Sequence, residues 1–75
     1  MIIELEIDTR GLHCPLPLLR LKKALATLEC GAVVRVVATD PASVLDFGVY
    51  IEQVGHEMLE RGEAEGEFFF IIRKG

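Results

Sequence analysis

The chain has no apolar run approaching the ~20 residues that cross a bilayer. Glu4 and Glu6 stand where a leader peptide would carry a basic and then an apolar stretch. A cytoplasmic protein that does not engage a membrane is expected. Cysteine and histidine are scarce: Cys14, Cys30, His13 and His56 include no Cys-x-x-Cys and no His-x-x-x-His pair. Neither a metal site nor a cofactor is therefore expected. The two cysteines bracket the first expected helix, which at ~1.5 Å per residue holds them roughly 20 Å apart and rules out an internal disulfide. Reduced thiols follow, at least one with a reactive role. There is no internal repeat, linker or low-complexity segment, and 75 residues leave no room for a second core, so residues 1–75 should form one small domain.

Positive charge is also in short supply, with eight Lys and Arg against twelve Asp and Glu, a net charge of −4. Four of the eight, Arg10, Arg20, Lys22 and Lys23, fall in a stretch that holds no acidic residue. Cys14 lies inside that stretch. Arg20, Lys22 and Lys23 either form an ordinary solvated helix face or a docking surface for an acidic partner or RNA, and Arg10 is near enough in sequence to favour a thiolate.

What the chain does have is a concentrated motif, Leu12-His13-Cys14-Pro15-Leu16-Pro17. A residue before proline is pushed out of the α region, so Cys14 is expected at a helix N-cap with Pro15 at the first helical position. Pro17 is tolerated in the first turn, where its missing N–H has no partner to lose. The Leu16 amide is then the free donor nearest the sulfur. That amide and the positive end of the helix dipole predict a lowered pKa for Cys14.

Ile2 to Ile7 alternate, with Ile3, Leu5 and Ile7 on one face and Glu4 and Glu6 on the other, which predicts a half-buried strand. Asp8 to Gly11 reads as a turn. Leu18, Leu21, Leu25 and Leu28 form the buried stripe of an amphipathic helix from Pro15 to about Glu29, closed by Gly31, with Cys30 packed at its last turn. Ala32 to Ala38, rich in valine on both faces, predicts a central strand parallel to the first. Asp40 caps a second helix from Pro41 to about Val54, with Val44, Phe47, Ile51 and Val54 as its stripe. Gly48 inside that helix suggests close packing or a bend. Gly55 ends the helix, and His56 is expected to pack or cap rather than react. Glu57–Arg61 and Glu67–Lys74 predict two last strands around a loop from Gly62 to Gly66. Phe68, Phe69 and Phe70 put aromatic rings on both faces of the last strand, one face core and the other covered or self-associating.

The expected order is β1-α1-β2-α2-β3-β4, an α/β two-layer sandwich with a four-stranded mixed sheet and two helices on one face. Cys14 falls at the carboxyl end of the first strand, where α/β folds place chemistry.

Asp8-Thr9-Arg10-Gly11-Leu12-His13-Cys14-Pro15-Leu16-Pro17-Leu18-Leu19, with Lys22-Lys23-Ala24-Leu25, resembles the opening of the TusA-like (SirA-like) sulfur-carrier family, marked by Cys-Pro-x-Pro at the first helix. Ala38-Thr39-Asp40-Pro41 with Ser43, then Gly55-His56-Glu57 and the phenylalanine-rich strand, are similar too. The likeness thins from Asp46 to Tyr50. It implies a sulfurtransferase in which Cys14 accepts a sulfane sulfur as a persulfide from a donor such as a cysteine desulfurase and hands it to an acceptor protein. Arg10, Arg20 and Lys23 are the expected partner-binding residues; Leu16 supplies an amide, and Pro15 and Pro17 stiffen the helix start. The resemblance links the family to tRNA thiolation, molybdenum-cofactor sulfuration and sulfur oxidation without choosing among them. The competing reading is a regulatory or binding module that docks protein or RNA through the basic first helix.

Overall fold

The computed structural model describes residues 2–75. Its elements are β1 (Leu5–Thr9), α1 (Leu16–Ala26), β2 (Val33–Ala38), α2 (Ala42–Val54), β3 (Glu57–Ala64) and β4 (Glu67–Arg73). The expected order and two-layer α/β architecture hold. The sheet runs β1-β2-β4-β3, with β1 parallel to β2 and the other neighbours antiparallel.

The interior position of β4 explains its apolar run. Val34 pairs with Ile72 and Val36 with Phe70, and these four side chains form one core with Leu21 and Leu25 of α1 and Phe47 and Ile51 of α2. Both helices therefore cover the same sheet face. The ring of Phe47 meets that of Phe70 edge-on, with centroids 4.8 Å apart. On the opposite face Phe69 lies beneath the Arg35 guanidinium, 5.6 Å from it, and across from Gly62. An added Cβ at Gly62 would come within 2.5 Å of the Phe69 ring, so the glycine makes room for the aromatic side chain. Ion pairs Arg35–Glu6 and Arg73–Glu57, at 3.2 and 2.9 Å, flank this face.

Several boundaries differ from expectation. β1 begins at Leu5 and takes in Thr9, because Thr9 is fully buried and its hydroxyl donates to the Val37 carbonyl at 2.7 Å. Ile3 and Leu5, assigned to the buried face, are both exposed. α1 stops at Ala26, where the Thr27 hydroxyl donates to the Ala24 carbonyl at 2.7 Å. The Lys74 ammonium donates to the carbonyls of Leu25 and Leu28 at 2.7 and 2.6 Å, placing a cation at the negative end of the helix dipole. Cys30 consequently lies beyond the helix and is exposed rather than packed. β3 runs on to Ala64, and the loop shrinks to a tight turn in which Glu65 and Gly66 both take positive φ, 53° and 78°. Gly48 has open space where a Cβ would stand, so close packing does not account for it.

Candidate active site around Cys14

The parallel β1–α1–β2–α2 connection brings the two strand-to-helix loops to the same edge of the sheet. They are tied together by polar contacts that no periodicity announces. The Gly11 amide donates to the Thr39 hydroxyl at 2.9 Å. The Cys14 amide donates to Asp40 Oδ2 at 2.7 Å, while Asp40 Oδ1 accepts the Ala42 amide at 3.0 Å. One carboxylate thus satisfies an orphan donor at the start of α2 and fixes the loop that carries the cysteine. These two amides hold Asp40 below the usual carboxylate range, and the charge of His13 adds to the effect. Asp40 is not the expected N-cap, a position taken by Pro41 without a side-chain cap, but its carboxylate still accepts the amide of Ala42, the first residue of α2.

Cys14 stands one step outside the position read from the motif. The Leu16 amide donates to the His13 carbonyl at 2.8 Å, so His13 to Leu16 form a turn before the helix begins. The Cys14–Pro15 peptide in that turn is cis, as in the turn type that carries proline at its third position. Pro15 is the N-cap, with φ −98° and ψ 14°, and no side chain caps the helix. Two expectations fall together: Cys14 is not the N-cap, and the Leu16 amide is not free to face its sulfur. Pro17 is buried in the first turn, while Leu16 and Leu19 point to solvent.

The sulfur's environment also reverses the expected electrostatics. Cys14 is exposed and free, and its thiol donates to Asp46 Oδ2 at 3.0 Å. That hydrogen bond, partial desolvation by neighbouring groups and the charges of Asp46 and Asp40 push the thiol pKa up from its ordinary value rather than down. Arg10 does not reach the sulfur. Its guanidinium pairs with Asp8 at 2.9 Å and with Glu67 at 3.6 Å, holding Asp8 at about 2 and raising its own pKa. Arg20 and Lys23 are exposed on α1 and border a groove against β1. Lys22 faces the other way, into a groove of about 240 Å³ shared with Asp46, Tyr50 and Leu45. Its ammonium lies 5.2 Å from the centre of the Tyr50 ring.

Sequence reasoning singled out Cys14 and Asp40 but gave Asp46 no role. A signal was available, since the parallel crossover sets both helix starts at one edge and the early turns of α2 then run beside the β1–α1 loop. His56 packs as expected: its Nδ1 accepts the Gly75 amide at 2.9 Å, and its Nε2 lies 3.5 Å from the Tyr50 hydroxyl. Among the described residues no cluster of His, Cys, Asp and Glu has the arrangement of a metal site. No helix of the described residues is long and apolar enough to cross a membrane.

The fold and site together define a small two-layer α/β protein that presents one accessible cysteine at the entrance to its first helix. The family model described as sulfurtransferase TusA matches residues 5–74. The chain belongs to the TusA family. It is 49% identical over 69 residues to the sulfur carrier protein TusA of Allochromatium vinosum, spanning 92% of this chain and 91% of that one. It is 36% identical over 74 residues to the TusA protein of Pseudomonas entomophila, spanning 99% and 92%. Among solved structures, the SirA-like protein of Desulfitobacterium hafniense superposes with a TM-score of 0.84 at 36% identity, over 95% of this chain and 97% of that one.

Proposed function

We propose that this chain is a sulfur carrier that takes a sulfane sulfur on Cys14 as a persulfide and relays it between proteins. The observation that carries the reading is the free, exposed Cys14 at the start of α1 in a chain whose relatives are named sulfur carrier proteins. Cys14 gives up its thiol proton to solvent, and the resulting thiolate attacks the terminal sulfur of the donor's persulfide. The Cys14 Sγ–S bond forms as the donor S–S bond breaks, and the donor sulfur leaves with the bonding pair and takes up a proton. Cys14 is oxidised to a persulfide, and the donor persulfide is reduced to a thiol. Onward transfer is the same exchange with the acceptor's thiolate as nucleophile. A carrier of this kind requires one accessible nucleophile and surfaces for a donor, such as a cysteine desulfurase, and for an acceptor protein. Arg20 and Lys23, exposed on the helix that Cys14 precedes, serve as the docking charges. The acceptor lies in tRNA thiolation, cofactor sulfuration or sulfur oxidation.

Loading from two sulfur sources tests this reading against a binding module. Inorganic polysulfide presents no surface, whereas a cysteine desulfurase charged with cysteine must dock. In a Cys30→Ser background, Cys14→Ser should abolish loading from both, while Arg20→Ala with Lys23→Ala should slow only the protein donor. A Cys14→Ser protein that still supports sulfur delivery to the acceptor would sink the carrier reading in favour of docking alone.

A further inference from the structure

Two groups 3.0 Å apart share one hydrogen at Cys14 and Asp46. A thiolate has no hydrogen to donate and neither has an ionised carboxylate, so the contact exists only while a proton sits on one of them. Free aspartic acid is acidic by roughly five pK units relative to a thiol, which puts the proton on sulfur at neutral pH. The carboxylates of Asp46 and Asp40 both favour the protonated thiol. The groups facing this pair are His13 on the cysteine's own loop, Asp40 ahead of α2, and Lys22 on α1, which shares a groove with Asp46. Among the described residues no ion pair engages Asp46 or Asp40. Arg10, close to Cys14 in sequence, is paired with Asp8 and Glu67. Reactive cysteines that depend on a standing thiolate are surrounded by cations or free amides, and this one has the carboxylates of Asp46 and Asp40 beside it.

We propose that Asp46 is a guard on Cys14, its carboxylate accepting the thiol hydrogen and so keeping the unloaded sulfur protonated and slow toward small electrophiles and oxidants. The guard rests on the carrier reading for its purpose and deepens it. Once a sulfur is added, Sγ bears no hydrogen, and the new terminal sulfur stands one bond of ~2.05 Å beyond it. The Cys14–Asp46 bond is then lost, and the persulfide is released from the contact that restrained the thiol. Bare and loaded forms thus differ in the charge arrangement at the entrance to α1, which gives partners a means to tell them apart.

The test is the pH dependence of iodoacetamide alkylation at Cys14, followed by intact mass in a Cys30→Ser background. The parent should have its alkylation midpoint above that of an unstructured cysteine peptide. Asp46→Asn should move the midpoint to lower pH and raise the rate at pH 7.5 several-fold, whereas Asp46→Glu, which keeps the charge, should restore the parent profile. Coincident profiles for the parent and Asp46→Asn, or equal effects of Asn and Glu, would overturn the guard. Should Asp46→Asn fail to fold, a parent midpoint at or below the peptide value overturns it without any variant. Loading of the parent by a desulfurase is read separately. Loading with an unmoved alkylation profile removes the guard alone, and a moved profile without loading removes the carrier reading alone.

Discussion

Phe47 fixes the roll of α2, and with it the direction of its neighbour Asp46. The ring is fully buried and meets Phe70 edge-on at 4.8 Å. Replacing it with leucine removes that aromatic contact, worth about 0.5–1.5 kcal/mol, and leaves part of the ring's volume unfilled. The sum is about 1–3 kcal/mol. A chain of 75 residues has a total stability of roughly 4–11 kcal/mol at the usual value per residue, so the loss is a large share yet leaves the protein folded. Leu45, two positions earlier on the same helix, is 71% exposed, and Leu45→Ala should stay within about 0.5 kcal/mol of the parent. The assay is urea unfolding followed by far-UV circular dichroism, with equal slopes required before midpoints are compared. Phe47→Leu is expected to lower the thermal midpoint by about 4–8 °C per kcal/mol lost. Equal losses at Phe47 and Leu45, or no loss at Phe47, would refute the orientation of α2 on which the Cys14–Asp46 contact depends.

Ser43 is buried in the first turn of α2, and its hydroxyl has no hydrogen-bond partner. Ser43→Ala should therefore raise stability by about 1 kcal/mol in the same urea assay, and a loss would mean the hydroxyl is satisfied. Burial and the charge of Lys74 hold the His56 pKa below its ordinary 6.5. Because the folded state favours the neutral ring, this contribution is complete above pH 6.5 and declines as pH falls through the window below it. Stability measured from pH 7.5 to 5 should show that decline in the parent and lose it in His56→Asn. Asp40, with a folded pKa below 3.8, contributes stability that is present above that value and disappears as pH falls through the folded pKa. Asp40→Asn should flatten the acid end of the stability profile, and an unchanged acid limb would contradict the bridge to the Cys14 and Ala42 amides.

The architecture was readable because its signals are periodic. The leucine stripe of α1, the valines of β2 and the crossover between parallel strands fixed the layers and placed Cys14 at the correct edge. The misread boundaries depend on single long-range hydrogen bonds. Thr9 joins the sheet through a carbonyl on β2, and α1 ends where Lys74, 46 residues beyond Leu28, reaches its last carbonyls. The site shows the same division. Cys14 announces itself through its neighbouring prolines, but the electrostatics of its sulfur do not follow from charges nearby in sequence. Arg10 is paired, Arg20 and Lys23 border a groove against β1, Lys22 shares a groove with Asp46, and the sulfur itself meets Asp46, 32 positions away. A helix start favours a thiolate where a free amide faces the sulfur, and here the Leu16 amide is spent closing the preceding turn.

The carrier role depends most directly on where sulfur is added. Reduced protein incubated with a cysteine desulfurase and cysteine, then weighed intact beside Cys14→Ser and Cys30→Ser, should gain the mass of one sulfur atom. The gain should survive Cys30→Ser, vanish in Cys14→Ser and reverse with reductant. Equal loading of the two exposed cysteines, or no loading of Cys14 by competent donors, would contradict the carrier proposal.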